Sequence, residues 1–428
     1  MSTKEAPLLL CRICSAWRRI ALSAPRLWAS LHAPLDFILL KESRISAVAQ
    51  WLQRSAACPI SISVRDGSSW DWESQGLPAT AKKDLTKSIC AVANRWCHMK
   101  FDSMPIEMAH ELRGIKPSLL ESVEFSGNIP TPTDLQFLQV PSLRAVTLHL
   151  YDFEPFNAAF TIPLMWNRLQ HLTITGISFS QLIMLGQCQE LISLTITPFI
   201  DSVPDPFPTG LILPSLASFR IVGTSILPDF LVQLTSHVSV PELRRLAVQA
   251  GTCQYGPQHS FFLVSLGKKS PLVEDLTIYL PSLTAQSLPE TLRAFSLARL
   301  VVYAIETLTW DKDGFQSCTV TLLLTVLSDS ATCPMLQELV IHDSSSLDHS
   351  KSTLDGFVRQ RMECAHPLRR LEISFEGLWT ESQVDLMSES EIRSYRLQGL
   401  DISLRCENTA PCVANPPDPW TGLWLEDI

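Results

Sequence analysis

PSLRAVTLHL, residues 141–150, decides the fold. Its apolar side chains fall at Leu143, Val146 and Leu148, in the order apolar-x-x-apolar-x-apolar. Val146 and Leu148 are two apart, so they share one face of a short strand, and Leu143 turns inward just before it. Arg144, Ala145, Thr147 and His149 fall between or beside these positions.

Outward in both directions the same spacing returns. It recurs at Leu169, Leu172, Ile174; at Leu191, Leu194, Ile196; at Leu216, Phe219, Ile221; at Leu243, Leu246, Val248; and at Val273, Leu276, Ile278. Further on come Leu336, Leu339, Ile341; Leu368, Leu371, Ile373; and Leu397, Leu400, Ile402. Weaker copies stand at Leu120, Val123, Phe125 and at Leu297, Leu300, Val302. Neighbouring starts lie 22 to 39 residues apart, room for a strand, a turn, a return segment and another turn. A single unit cannot bury its apolar face, whereas a stack makes a continuous core, so this self-similarity predicts a solenoid. The expected fold is α/β: an irregular leucine-rich-repeat-like solenoid with parallel strands and a small helical N-terminal segment. The units lack the consensus Asn of standard leucine-rich repeats, which makes the array degenerate.

Between strands the spacing predicts helical returns: Leu227, Leu231, Leu234 and Val238 make one stripe, and Leu85, Ile89, Val92 and Trp96 another. Thr380-Glu-Ser-Gln383 has the form of a capping box. The expected organisation is a partial helical box over 1–34, a helical and strand cap over 35–115, the solenoid over 116–405 and a Pro-rich tail over 406–428. Trp17, Trp28, Trp51 and Trp96 lie on apolar stripes and are expected in the core, and Trp420 and Trp424 to close the last repeat.

The totals agree with this organisation. A chain of 428 residues exceeds one compact core. With 46% hydrophobic and 18% charged residues it has the composition of a folded protein. The formal charge of -9 argues against a general nucleic-acid binder, which would need a basic face. The 12 cysteines show no framework spacing and read as reduced, buried thiols. The N-terminal apolar run is too short for a signal peptide, and the longest aliphatic stretch, near 320–327, cannot span a bilayer. The expectation is a cytoplasmic or nuclear protein with no membrane partner.

Residues 10–31, LCRICSAWRRIALSAPRLWASL, place Leu10, Ile13, Cys14, Trp17 and Ala21 on one helical face, and Pro25 breaks the run. This resembles the second half of an F-box, with Cys14, Trp17, Arg18, Ile20, Ala21, Pro25, Leu27 and Trp28 on matching positions. The following WLQRSAACPISISV, residues 51–64, resembles the Leu-x-Arg-Ser-Gly-x-x-Pro-Leu stretch behind the box, with Ala56 in place of Gly. Together with the repeats, the chain resembles leucine-rich-repeat F-box proteins abundant in mushroom-forming fungi. The resemblance implies a substrate-recognition subunit of a cullin–RING ubiquitin ligase. It also implies a Skp-type adaptor bound through Cys14, Trp17, Ile20, Pro25, Leu27 and Trp28. The Leu-Pro-x-Glu helix that opens a complete box has no counterpart in MSTKEAPLL. The 428 residues alone are therefore expected to bind an adaptor weakly.

No catalytic, cofactor or metal site is expected. Cys11-x-x-Cys14 has no second ligand pair, residues 267–270 (GKKS) lack the upstream glycine of a phosphate loop, and G-x-S-x-G and H-E-x-x-H are absent. The expected partner is a protein, met on a concave strand face by His149, His171, Arg220, Arg245, Tyr279, Tyr303, His342 and Arg370. Their His, Arg and Tyr character suits an acidic or phosphorylated segment. Two readings compete with this: a repeat scaffold unconnected to ubiquitin ligases, and an enzyme whose site has no sequence motif.

Overall fold

Each apolar triplet read from the sequence lies on, or just ahead of, a parallel strand. The computed structural model describes residues 7–34, 42–65, 79–127, 132–149, 162–177, 180–198, 210–223, 228–250, 258–304, 318–343, 351–376 and 389–407. They fall into two compact units divided after Gly176.

In the first unit the strands are β1 (Ser30–Pro34), β2 (Ile60–Arg65), β3 (Trp96–Asp102), β4 (Ser122–Ser126), β5 (Ala145–His149) and β6 (His171–Ile177). They pair in chain order, all parallel, with Val123 beside Val146 and Val146 beside Leu172. The second unit continues with β7 (Ser193–Pro198), β8 (Leu211–Ile212), β9 (Ser218–Gly223), β10 (Val238–Ser239), β11 (Arg245–Ala250) and β12 (Asp275–Tyr279). It ends with β13 (Arg299–Ala304), β14 (Glu338–Asp343), β15 (Arg370–Glu376) and β16 (Asp401–Glu407). β8 and β10 form a separate parallel pair; the other strands of this unit pair in parallel in chain order. This is the α/β leucine-rich-repeat-like solenoid.

The triplet positions are the core. Leu120, Leu143, Leu169, Leu191, Leu216 and Leu243 are buried, as are the strand residues behind them. Leu397 departs from the expected frame. It ends a helix, is 85% exposed, and the last strand instead turns Leu400 and Ile402 inward. Leu400 and Ile402 are buried as the triplet expects, but the register sets Ile402 beside Leu371 and Leu404 beside Ile373, a shift of two residues that keeps the same face inward.

The sheet begins earlier than the triplets predict. Trp28-x-x-Leu31-x-Ala33 and Trp96-x-x-Met99-x-Phe101 are the same motif with Trp at its first position, and all six residues are buried. Trp96 therefore heads β3 and is not the end of a helical stripe; that helix, α4 (Ala79–Cys90), stops before Val92. Phe101 stacks on Phe125 at 5.1 Å across β3 and β4, and Phe137 meets both Trp96 and Phe101 edge-on. β2 starts as Ile60-x-Ile62, one residue tighter than β3. Ile60 pairs with Trp96 but Ser61 with His98, and Cys97 is left over as a β-bulge.

Return segments differ in kind. Between β4 and β7 they are 3-10 turns such as Pro132–Leu138 and Trp166–Arg168, where repeats are short. In the second unit they include α6 (Pro228–His237), α7 (Gln258–Lys269), α9 (Val320–Ser328) and α10 (Lys351–Met362). A 3-10 segment rises about 2.0 Å per residue against about 1.5 Å for an α-helix, so it spans the return with fewer residues. Val238 is the first residue of β10, not the end of the α6 stripe, and Leu227 and Thr380–Gln383 lie outside the described residues, as do Trp420 and Trp424. Residues 267–269 form the last turn of α7, where a side chain on Gly267 would meet the Ala294 carbonyl oxygen at 2.7 Å. This glycine serves close packing.

Candidate functional site

Because parallel pairing is in register, the side chains that leave the core form columns across the strands. In the first unit one column runs His98, Ser122, Ala145 and His171, and the next runs Lys100, Glu124, Thr147 and Thr173. Lys100 pairs with Glu124 at 3.0 Å, and His149 Nε2 stands 3.8 Å from the same carboxylate. Burial lowers the pKa of His149, Glu124 raises it, and Lys100 lowers it again. Between the columns lies a depression of about 330 Å³ lined by His98, Lys100, Ser122, Glu124, Ala145 and Thr147, among others.

Cys97 and His98 follow one another at the irregularity where β3 meets β2. His98 shares one hydrogen bond with Ser122 Oγ through Nδ1, at 2.7 Å, and its Nε2 is 3.5 Å from Cys97 Sγ. Glu121 occupies in the next repeat the position that Cys97 occupies in its own, and its backbone N–H donates to the Cys97 carbonyl at 2.8 Å. Burial raises the Cys97 thiol pKa, and the Glu121 carboxylate raises it further. Donor atoms of Cys97, His98 and Glu121 all lie within 4.8 Å of one another. Sequence reasoning passed over this cluster because its members lie 24 residues apart at the extremes and match no ligand motif. The signal that finds it is the repeat frame itself, once Trp96 is read as a triplet position.

The second unit spends its outward charges differently. Arg245, Asp275, Arg299, Glu338, Arg370 and Asp401 stand side by side in one column, with the sign alternating at every strand. Arg299 reaches Asp275 at 3.1 Å and Glu338 at 3.4 Å, while Arg370 turns to Glu372 at 2.6 Å. Arg245 and Arg370 thus belong to a charge ladder. Arg220 is exposed and donates to Gln249 Oε1. Tyr303 and His342 stack at 4.7 Å, and His342 Nδ1 meets Ser374 Oγ at 2.7 Å. Tyr279 does not join an exposed face: it is 6% exposed, because the chain turns at once into the buried segment Leu280–Ser282, with Ser282 Oγ donating to the Tyr279 carbonyl. His149 lies in the first unit, half-buried, and His171 is exposed at the start of β6.

The N-terminal helices carry the remaining candidates. The expected single helix is two, α1 (Leu8–Ile13) and α2 (Ser15–Ser23), parted at an extended Cys14. Arg18 bridges the break: its backbone N–H donates to the Cys14 carbonyl as the first hydrogen bond of α2, and its side-chain Nε donates to the Cys11 carbonyl near α1's C-terminal end. Trp17 is 45% and Ile20 54% exposed, and Leu9, Ile13 and Leu27 are exposed with them. Trp17 is therefore not core. Trp28 is, at 1% exposure: its Nε1–H donates to the Ala21 carbonyl, its ring meets Trp51 edge-on at 4.8 Å, and the Arg54 guanidinium lies over it. Burial withdraws Trp28 from the adaptor-facing set. Cys14 is exposed and Pro25 half-buried. Ala56, which stands where the resembling stretch has Gly, adopts a left-handed backbone with φ of 48°.

No known protein family and no curated protein matches the sequence. Among solved structures the chain is similar to a TLR13 chain in a crystal structure of a TLR13–ssRNA13 complex, at 15% identity and a TM-score of 0.38. The match covers 77% of this chain and 41% of that one. No described helix is long and apolar enough to cross a membrane.

Proposed function

We propose that this chain is a non-catalytic protein-binding repeat of the F-box type, which holds a partner on its strand face and a Skp-type adaptor on its N-terminal helices. The observation that carries the proposal is the run of exposed apolar side chains Leu9, Ile13, Trp17, Ile20 and Leu27 along α1, α2 and the 3-10 turn Pro25–Trp28 that follows them. Elsewhere exposed large apolar residues, such as Ile183, Ile212 and Phe261, are spread along the chain, whereas here several fall in one short segment, and grouped exposed apolar side chains mark an interaction surface. The left-handed Ala56 supports the same reading, because the residue stands where the family carries glycine, which adopts that conformation at no steric cost. The net charge of -9 favours a protein over a nucleic acid as the partner.

A stable interface buries roughly 1,200–2,000 Å². In the family the box meets its adaptor through helices of both halves, and α1 and α2 correspond to the second half alone. The 428 residues should therefore bind the adaptor weakly. The test is a pull-down with purified Skp-type adaptor, using this chain, the chain preceded by a Leu-Pro-x-Glu helix, and that extended chain carrying Trp17→Ala. The extended chain should bind, and the substitution should weaken it by roughly 10-fold or more, as loss of an aromatic anchor does. If the extended chain fails to bind, the adaptor reading falls and a repeat scaffold without ligase linkage replaces it.

A further inference from the structure

We propose that Cys97, His98 and Glu121 form an open binding site for a zinc-class divalent cation. The inference is independent of the adaptor reading.

The geometry is that of a metal edge. Zinc bonds thiolate sulfur at about 2.3 Å and imidazole nitrogen at about 2.0–2.1 Å, so two such ligands at a tetrahedral angle stand about 3.6 Å apart. Cys97 Sγ and His98 Nε2 are separated by 3.5 Å. The third donor, a Glu121 carboxylate oxygen, completes a sulfur, nitrogen and oxygen set within 4.8 Å. Thiolate, imidazole and carboxylate together favour zinc over magnesium or calcium, which take oxygen ligands.

The backbone builds this arrangement. Cys97 stands just before the first outward residue of β3, unpaired on its β2 side, because β2 is one residue tighter there. Parallel pairing brings Glu121 alongside through its N–H bond to the Cys97 carbonyl. Ser122 holds His98 Nδ1, which leaves Nε2 turned toward the thiol; a ligand histidine is commonly oriented by such a bond on its other nitrogen. Nearby cations are engaged elsewhere: Lys100 by Glu124 at 3.0 Å and Arg144 by the Pro141 carbonyl at 2.7 Å. Binding replaces the thiol proton by the metal, releasing one proton to solvent and leaving thiolate and carboxylate to balance the two positive charges. Three protein ligands leave a fourth position for water or for a donor atom of a bound molecule.

The experiment titrates the whole chain with zinc alone by calorimetry, in two buffers of different ionisation enthalpy, and with cobalt followed by absorbance. One ion per chain, about one proton released and a thiolate-to-cobalt charge-transfer band are expected. Cys97→Ser should abolish the band although the other cysteines remain. His98→Gln and Glu121→Gln should each weaken binding at least 10-fold, and Ser122→Ala by roughly 10-fold or somewhat more. Glu121 is exposed, so Glu121→Gln reports on the site even if the Cys97 variant folds poorly. Absence of a stoichiometric site in the wild type, or unchanged binding by both Cys97→Ser and Glu121→Gln, overturns the proposal.

Discussion

Each unit has an apolar spine built from the same triplets, and the two differ in what they do with the opposite side of the strands. In the second unit the column Arg245, Asp275, Arg299, Glu338, Arg370, Asp401 alternates in sign from strand to strand, so that most outward charge is answered by a neighbour. In the first unit the matching column is His98, Ser122, Ala145, His171, beside Cys97 and Glu121, and it borders a depression. Identical backbone pairing therefore carries a self-neutralising face in one region and an assortment of ligand-capable groups in the other. The lesson is that repeat frame dictates the core, while the outward columns are free to serve register or recognition. Uncancelled polar groups are concentrated in the first unit's columns.

The spine is the common term, and breaking it should cost most. Leu172 on β6 and Leu276 on β12 are 1% and 0% exposed, one in each unit. Aspartate at either site sets a carboxylate among aliphatic side chains with no partner. We expect Leu172→Asp and Leu276→Asp each to lose at least about 4 kcal/mol, the range reserved for unpaired buried charge. Hydrogen exchange should localise the loss to the strands around the substituted one. A variant that melts like the wild type would refute the apolar spine of its unit.

Two buried polar residues sharpen the contrast from the second unit's side. Arg361 on α10 is fully buried. It donates through Nε to the Leu327 carbonyl at 2.7 Å, through Nη1 to the Cys333 carbonyl at 3.0 Å, and also to the Thr332 carbonyl. It closes the C-terminal end of α9, where carbonyls lack helical partners. Arg361→Met should cost about 3 kcal/mol or more, since charged hydrogen bonds are lost and buried carbonyls left bare. Arg361→Lys should recover little, because an ammonium cannot span the fork. Chemical denaturation measures both. His259 on α7 is 1% exposed, and burial drives its pKa from 6.5 down to about 4. The folded pKa lies below the unfolded one, so between these values the unfolded chain binds the extra proton. This contribution is complete above pH 6.5 and is lost as pH falls toward 4. It amounts to something on the order of 3 kcal/mol. Denaturation midpoints taken over that window should fall in the wild type and flatten in His259→Gln; parallel curves would remove His259 as the cause.

Much of this was legible in the sequence, and the failures have physical reasons. Leu, Ile and Val at period two mark strands unambiguously when a third apolar residue precedes them, and those triplets lie on or just ahead of strands. Trp28 and Trp96 hid the first strands because a large aromatic ring fits a helix stripe as well as a strand entrance. Leu397 misled because the last repeat is shifted by two residues, and only the pairing of Asp401 with Arg370 fixes the frame. The outward columns were half legible. Spacing says which residues leave the core, but not which stand side by side, since that depends on the return lengths. So the alternating ladder and the meeting of Cys97 with Glu121 escaped, and Tyr279 was placed outside although the following turn encloses it.

The smallest expected effect tests the ladder directly. Adjacent strands lie about 4.8 Å apart, and opposite unit charges at that distance attract by about 0.9 kcal/mol in a water-like dielectric. Arg299 has an acidic neighbour on each side, at 3.1 and 3.4 Å, with part of its side chain exposed. Lys100 in the first unit has an acidic neighbour in Glu124 and a serine, Ser63, on the other flank. Arg299→Glu turns two attractions into repulsions, whereas Lys100→Glu turns one. After screening and side-chain entropy, we expect about 1–2 kcal/mol for Arg299→Glu and about half of that for Lys100→Glu. At 1 M salt the screening length falls to about 3 Å, so both penalties should shrink well below 1 kcal/mol. Urea titrations at low and high salt read the difference. Equal penalties, or penalties indifferent to salt, would mean that the alternation in the second unit is coincidence and that its charges are as available to a partner as those of the first.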